Sequence, residues 1–135
     1  MPEFFTPPWA DAVCAALAAS DDYRAAAADW EGAVRFVAEP GPGLSNARTV
    51  WLDLDRGTCR GALAGADAEA AEAPFTIAAA YPVWTDVLAG RLDPLLGMML
   101  GKLRMTGSVA RVAAHAPAAK ALVAVAASVE TAPPA

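Results

Sequence analysis

The N-terminal part of the chain carries apolar residues at helical spacing. They recur every four positions from Trp9 to Leu17, which predicts a helix over Pro8–Ala19. Ser20 is followed by two aspartates, a pattern typical of a helix N-cap, and this predicts a second helix that ends near Asp29. Two short helices are therefore expected before any strand.

The middle of the chain alternates between apolar and polar positions, as strands with one buried face do. The alternation predicts four strands, over Ala33–Glu39, Arg48–Asp55, Thr58–Ala64 and Phe75–Ala80. Arg56 and Gly57, between the second and third of these, predict a tight hairpin turn. The acidic and alanine-rich stretch Ala66–Ala73 has no bulky residue and is expected to be a loop or a frayed helical turn.

Beyond the fourth strand the apolar period becomes helical again. A helix is expected to begin at Pro82 and to end at Gly90. Asp93 is a typical cap for the short apolar helix Leu95–Leu100, and Lys102–Thr106 alternates as a fifth strand does.

The C-terminal part is predicted to be helical up to a frayed tail. A helical region follows Gly107, and Pro117 marks the start of a last helix whose apolar stripe ends at Val129. We expect residues 130–135 to fray. The chain is thus predicted to be one α+β domain over residues 1–135, with a core at about 8–129. Its five-stranded, mostly antiparallel sheet is covered on one face by helices.

Composition narrows the range of partners. The 135 residues carry a formal net charge of -5, which argues against nucleic acid and, less strongly, against an anionic membrane. No charged segment followed by a long apolar run begins at Met1, and the apolar stretches elsewhere are too short to span a bilayer. Cys14 and Cys59 lie far apart and are expected to be buried free thiols. These features predict a cytoplasmic protein.

The stretch from Trp84 to Gly107 reads WTDVLAGRLDPLLGMMLGKLRMTG. It resembles the sterol carrier protein 2-like (SCP2-like) lipid-binding domain family, whose members carry W-x-D/E-L-x-x-G-x-x-D-P followed by M-x-G-K-L-K-x-x-G. The residues that occupy this pattern are Trp84, Gly90, Asp93, Pro94, Met99, Gly101, Lys102, Leu103 and Gly107. Physically these residues are a fold signature: glycines for positive φ, a cap, and two large apolar groups, Trp84 and Met99, expected to face the sheet.

The resemblance implies an apolar tunnel between the sheet and the helices, with the last helix as part of its lid. Ligands would be fatty acids, acyl thioesters, isoprenoids or sterol-like molecules. Residues expected to line the tunnel are Phe36, Val50, Trp84, Leu88, Leu95, Met98, Met99, Leu103, Met105, Leu122 and Val125. For each of them, packing in a dry core is the alternative interpretation. A ligand head group could lie near Lys102 or Arg104, unless these side chains face solvent.

Catalytic chemistry is not expected. His115 is the only histidine, and no nucleophile elbow accompanies it. Asp53 and Asp55 share a strand face, which would suit acid–base work, but such pairs are usually the solvated side of a strand. A metal site would need more ligands than these. No catalytic residue, metal or cofactor is predicted.

The leading hypothesis is a carrier that binds and transfers an apolar small molecule or lipid without a covalent step. No nucleic acid is expected as a partner, and transient membrane contact is left open. The alternative is an accessory module with a filled core in a lipid- or quinone-related pathway. The alanine-rich helices and acidic charge look bacterial, so a true sterol ligand is not expected.

Overall fold

The computed structural model describes residues 1–134. In chain order its elements are α1 (Pro7–Ala18), α2 (Asp21–Ala26), β1 (Val34–Glu39), β2 (Arg48–Asp55), β3 (Thr58–Ala64), α3 (Ala66–Ala70), β4 (Phe75–Ala80), α4 (Tyr81–Leu88), α5 (Pro94–Met99), β5 (Arg104–Thr106), α6 (Val109–Ala114) and α7 (Ala116–Ser128). None of the helices in this described part is long and apolar enough to cross a bilayer.

The strands form one five-stranded sheet in the order β3-β2-β1-β4-β5. β1 pairs with β4 in parallel, and the other three neighbouring pairs are antiparallel. The α+β class and the mostly antiparallel sheet predicted from the sequence are therefore confirmed. The single parallel pairing arises because the chain crosses from β3, at one edge, to the far side of β1 before forming β4.

The register places apolar side chains in rows across the inner face of the sheet. One row runs through all five strands and consists of Ala64, Val50, Phe36, Ile77 and Met105. A second row beside it consists of Ala62, Leu52, Val34 and Phe75. Because side chains alternate along each strand, these rows all point to one side and form the floor of the core.

Helices cover this floor. α1 packs against β2 and β3 and buries Trp9, Val13 and Leu17, the residues whose spacing predicted it. α7 contacts α1, α2, α4, α5 and α6, so it is the central element of the helical layer. Ser20 caps α2 as expected, its side chain accepting a hydrogen bond from the Tyr23 amide at 3.1 Å.

The opposite face of the sheet also carries a short covering element. Arg35 points away from the core, and its guanidinium donates to the carbonyl oxygens of Ala68 (3.0 Å) and Ala71. Trp51, on the same outer face, donates through Nε1 to the Glu72 oxygen at 2.9 Å. The stretch that was expected to be a loop or a helical turn is thus α3 and its following segment, held across the outer face.

The β2–β3 turn forms where Arg56-Gly57 predicted it. Arg56 has φ of 48° and Gly57 has φ of 84°, the sign pattern of a two-residue hairpin turn. Glycine is required at the second position for another reason too, since a Cβ there would lie 2.7 Å from the Arg24 carbonyl oxygen.

The fifth strand is shorter than the sequence predicted. Its expected first residues, Lys102 and Leu103, direct their amides to the Gly97 carbonyl oxygen at 2.9 and 3.2 Å. They therefore close the C-terminal end of α5 instead of pairing with β4. Pairing begins only at Arg104, opposite Ala78.

The C-terminal tail was expected to fray, but residues 130–134 of it, which the structure describes, include residues that are hydrogen-bonded to the rest of the protein. The Ala132 oxygen accepts a hydrogen bond from the Phe4 amide at 2.9 Å, and the Ala132 amide donates to the Pro2 oxygen at 2.8 Å. Thr131 accepts a hydrogen bond from Trp9 Nε1 at 2.8 Å. The tail thus docks beside the N-terminal segment because it satisfies polar groups there. Ala135 lies outside the described residues.

The prediction of free thiols is wrong. Cys14 on α1 and Cys59 on β3 form a disulfide, with their Cα atoms 5.4 Å apart. The two residues are separated by 45 positions in the sequence, and only the packing of α1 against β3 brings them together. The bond ties the first helix to the edge of the sheet.

Replacing both cysteines, as Cys14→Ala/Cys59→Ala, should lower the free energy of unfolding by about 2–4 kcal/mol, since the unfolded chain regains the entropy that the cross-link removes. Urea denaturation with and without reductant measures this. The wild-type protein should lose stability in reductant, whereas the double variant should not respond. Equal sensitivity of both proteins to reductant would contradict the pairing.

Candidate ligand cavity

Two small cavities lie in the core between the sheet and the helical layer. Cavity 1 has a volume of about 60 Å³ and is lined by residues of α2 and the segment after it, β1, the ends of β2 and β4, α6 and α7. Its lining consists of Tyr23, Trp30, Val34, Phe36, Leu54, Phe75, Ile77, Val112, His115, Ala118, Ala119 and Leu122. Apolar atoms make up almost the whole of its surface.

Cavity 2 lies next to it, towards α1 and α4, and has a volume of about 40 Å³. Its lining consists of Phe5, Trp9, Val13, Phe36, Leu52, Trp84, Val87, Leu88, Leu122, Val123 and Ala126. The surface of this cavity is entirely apolar. Cavities of this character do not hold ordered water, because water needs polar partners.

Two side chains belong to both linings: Phe36 from the sheet and Leu122 from α7. They come from opposite sides of the core and form the partition between the cavities. The Phe36 ring is also held from the side by Trp84, with ring centroids 6.0 Å apart and nearly perpendicular planes. Movement of the Leu122 side chain or of α7 would therefore join the two spaces into one.

α7 is poor in side-chain volume. Where α7 faces the cavities it presents Ala118, Ala119 and Ala126, with Leu122 and Val123 as its larger groups. Alanine ends at Cβ, so such a helix leaves space above the sheet that its own side chains cannot fill. The unfilled space beneath α7 forms the two cavities.

Two polar groups of the cavity 1 lining are hydrogen-bonded within the protein. Trp30 donates through Nε1 to the Gly32 oxygen at 2.9 Å, and His115 Nδ1 lies 2.9 Å from the Arg111 oxygen. The His115 ring meets Trp30 edge to face at 5.2 Å. Burial raises the pKa of Tyr23 to about 12, so that its hydroxyl stays protonated at any ordinary pH. The Arg111 guanidinium lies over the Trp30 and Phe75 rings, 5.2 and 5.3 Å from their centroids, and is not part of the lining. The lining itself is almost wholly apolar and suits an apolar chain.

Comparison with known proteins identifies the type of domain. The model of the SCP-2 sterol transfer family matches residues 11–130. The chain belongs to this family. A comparison with the curated proteins gave no match.

Two solved structures of sterol carrier type share this fold closely. A crystal structure of sterol carrier protein 2 is 44% identical, with a TM-score of 0.86, and the match covers 95% of this chain and 100% of that one. A conserved hypothetical protein of Thermus thermophilus, described as possibly a sterol carrier protein, is 42% identical with a TM-score of 0.86. That match covers 99% of this chain and 94% of the other.

A more distant structure shares the SCP-2 fold alone. It is sterol carrier protein 2 from Aedes aegypti, solved in complex with the C16 fatty acid palmitate. It is 14% identical, has a TM-score of 0.55, and the match covers 87% of this chain and 92% of the other.

The SCP-2 sequence motif serves the fold around the cavities. Asp93 caps α5 by accepting from the Leu95 and Leu96 amides at 2.8 and 3.2 Å, and Gly90 has a φ of 77° just after α4. Trp84 is buried and donates through Nε1 to the Val37 oxygen at 2.9 Å, which fixes α4 to β1.

Of the residues expected to line a tunnel, four border the cavities: Phe36, Trp84, Leu88 and Leu122. Val50 is fully buried in the floor, opposite Phe36 on the neighbouring strand. The others pack against the core without bordering either cavity, namely Leu95, Met98, Leu103, Met105 and Val125.

Met99 does not face the sheet. Its side chain is 85% exposed. Gly97 is the residue of α5 that faces inward, since a Cβ on it would lie 2.2 Å from Leu103 Cδ1. Met99 follows two positions later, about 200° around the helix, and so points outward. The family motif alone did not indicate that Met99 would point outward.

Sequence reasoning missed the contribution of the N-terminal elements to the cavities. Trp9 and Val13 of α1, and Tyr23 of α2, belong to the linings. Their helical spacing was visible in the sequence, and would have indicated a face towards the sheet. Phe5 carried no comparable signal, because it lies ahead of the helix with φ of 52°.

Charged residues considered for chemistry lie away from the cavities. Asp53 and Asp55 are both ion-paired to Arg60, at 3.1 and 3.7 Å. They occupy the outer face of the sheet. Arg104 pairs with Glu39, and Lys102 is exposed, so neither borders either cavity.

Replacing Phe36 with alanine should join the two cavities and lower the free energy of unfolding by about 2–4 kcal/mol. Uptake of a fluorescent apolar probe should increase because the merged space accepts a larger group. Urea denaturation and probe fluorescence measure the two effects, and Phe36→Leu serves as a control that keeps most of the volume. A loss of stability without extra probe uptake would indicate collapse of the cavity.

Proposed function

We propose that this protein binds one flexible lipid chain non-covalently between its sheet and α7 and carries it through water. The observation that supports this most directly is the pair of adjoining apolar cavities beneath an alanine-rich helix, which share Phe36 and Leu122 in their linings. Membership of the SCP-2 sterol transfer family adds to it. The expected tunnel would arise when these two side chains and α7 move.

The cavities must expand to receive a ligand. Pockets for small molecules are usually about 300–1,000 Å³, whereas the two cavities here have volumes of about 60 and 40 Å³. A lipid would therefore displace α7 outward and occupy the opened space. A helix with few large side chains loses little packing when it shifts, which favours this helix over α1 as the moving part.

The energy available from burial is sufficient for such a shift. Each buried methylene contributes about 0.8 kcal/mol, so that an acyl chain of about fourteen methylenes has roughly 11 kcal/mol to offer. Ordering of the chain and loss of its translational freedom remove several kcal/mol. A fatty acid, such as the palmitate bound by the Aedes aegypti protein, is a ligand of the proposed class. A rigid sterol would demand a wider opening.

The alternative function is an accessory module whose core stays filled. The small volume of the cavities is the observation that favours it. In that case the protein would act through a protein partner in a lipid- or quinone-related pathway, and would not carry a ligand.

We also propose that the protein is a carrier and not an enzyme, and that it uses no metal or cofactor. The cavity linings support this, because apolar atoms make up nearly all of their surface. The cytoplasmic location stays a prediction. The disulfide between Cys14 and Cys59 weakens its support, because such bonds are rare in reducing compartments.

The test is native mass spectrometry of the purified protein, with mass analysis of its organic extract. We expect a bound species of a few hundred daltons that the extract identifies as a lipid. Leu122→Trp should greatly reduce this adduct, because the larger ring fills the space under α7. Leu63→Trp, the same change on the outer face of the sheet, should retain it.

Two outcomes would contradict the carrier. A wild-type protein that stays free of adduct after incubation with fatty acids, phospholipids and quinones would favour the filled-core module. An adduct that survives unchanged in Leu122→Trp would show that the ligand binds elsewhere.

A further inference from the structure

Tyr23 carries a hydroxyl group that has no partner in the core. The residue lies on α2, is 2% exposed and lines cavity 1. Within residues 1–134 every fully enclosed side-chain nitrogen or oxygen has a hydrogen-bond partner, whereas the Tyr23 Oη atom makes no hydrogen bond. This oxygen therefore borders open space, and cavity 1 is the space that the residue lines. Burying an unpaired hydroxyl costs free energy, which points to a group that Tyr23 meets only when the cavity is occupied.

His115 brings a second unpaired polar atom to the same cavity. It is half-buried and lines cavity 1 from the junction of α6 and α7. Its Nδ1 atom lies 2.9 Å from the Arg111 backbone oxygen, and a carbonyl oxygen can only accept. In the neutral ring Nδ1 therefore carries the proton, and Nε2 keeps a lone pair. Among residues 1–134 this Nε2 atom has no hydrogen-bond partner.

The two unpaired atoms have complementary roles. The Tyr23 hydroxyl is a donor, because burial raises its pKa to about 12 and keeps it protonated. The neutral His115 ring is an acceptor at Nε2. A ligand hydroxyl accepts one hydrogen bond and donates another, so it can satisfy both atoms at once. An ester or ether oxygen would satisfy only Tyr23, and an alkyl chain neither of them.

An ionised carboxylate suits this pair less well. It has no proton to give to the lone pair on His115 Nε2. Arg111 does not supply a cation inside the cavity, because it lies over the rings of Trp30 and Phe75 and is not part of the lining. Its guanidinium donates to the Glu31 backbone oxygen. A carboxylate buried without a cationic partner carries a large desolvation penalty.

We propose that cavity 1 holds the hydroxyl head group of a flexible lipid alcohol, such as a fatty or isoprenoid alcohol, between Tyr23 Oη and His115 Nε2. This inference rests on the proposed carrier function and narrows its ligand class. Cavity 1, with about 60 Å³, has room for a hydroxyl group. The tail would pass Phe36 and Leu122, which border both cavities, and extend into the space of cavity 2.

The experiment is displacement of an apolar pyrene probe from the delipidated full chain, in mildly alkaline buffer in which imidazoles are neutral. The competitors share one tail and differ at the head group: dodecanol, dodecyl methyl ether and dodecanoate. We expect dodecanol to bind about ten-fold more tightly than the ether or the carboxylate, because only the alcohol pairs with both atoms.

Two variants test the two atoms. Tyr23→Phe keeps the ring and removes the hydroxyl, and should weaken dodecanol binding about ten-fold. His115→Phe keeps an aromatic ring without its nitrogens and should weaken dodecanol binding to a similar extent. Both variants should bind the pyrene probe as the wild type does, since the probe forms no hydrogen bond.

Matched controls separate the alcohol site from folding. Tyr81→Phe is the same change on α4, at a residue that lines neither cavity, and should leave dodecanol binding unchanged. In urea denaturation without ligand, Tyr23→Phe should unfold at the same urea concentration as the wild type or at a higher one. An unpaired hydroxyl contributes no hydrogen bond to the ligand-free protein, whereas a hydroxyl with a structural role would lower that concentration when removed.

Four results would overturn the alcohol site: undiminished dodecanol binding by Tyr23→Phe, lower stability of that variant, equal binding of the alcohol and the ether, or tighter binding of dodecanoate. Failure of the carrier is a different result. A wild-type protein that takes up neither the pyrene probe nor any competitor would refute the carrier, and the alcohol site with it. Binding that ignores the head group but is lost in Leu122→Trp would retain the carrier and overturn the alcohol site alone.

Discussion

The alanine-rich helix α7 cannot fill the space between itself and the sheet with its own side chains. Side chains from other elements must fill this space, and this constraint determines how the core packs. Large rings from other elements meet it: Phe36 from the sheet, Trp9 from α1, Trp84 from α4 and Trp30 from the segment after α2. Rings pack in a few orientations and cannot match every contour, so small voids persist beside them. The cavities therefore result from the combination of small side chains on α7 with large, rigid rings from the other elements.

Local patterns predicted the strands well. β2, β3 and β4 have the bounds that alternation indicated, because each is delimited by turn residues next to it in the sequence. The SCP-2 motif indicated the fold for a similar reason, as its glycines and its cap act within one or two turns. The sequence was sufficient to predict an element where the residues that delimit it lie next to it in the chain.

Features that depend on distant contacts were not predictable in this way. The disulfide needs α1 to lie on β3, and no spacing of Cys14 and Cys59 reveals that. β5 lost two expected residues because the Gly97 oxygen takes their amides. Met99 lies on the outer side of α5 because the inner side packs so closely against Leu103 that only Gly97, which has no Cβ, fits there. Each of these outcomes depends on which groups meet in the folded chain, and local sequence patterns do not reveal that.

The docked tail restricts how α7 could move in the proposed carrier. Thr131 is hydrogen-bonded to Trp9, and Ala132 pairs with the N-terminal segment, so the chain just beyond α7 is fastened to the body of the protein. The disulfide fastens the opposite wall, formed by α1, to the sheet. In the proposed carrier, α7 would therefore pivot about its C-terminal end and would not separate from the sheet as a whole. The entrance would then form where α6 meets α7, at cavity 1, and a ligand would thread inward from His115 towards Trp84.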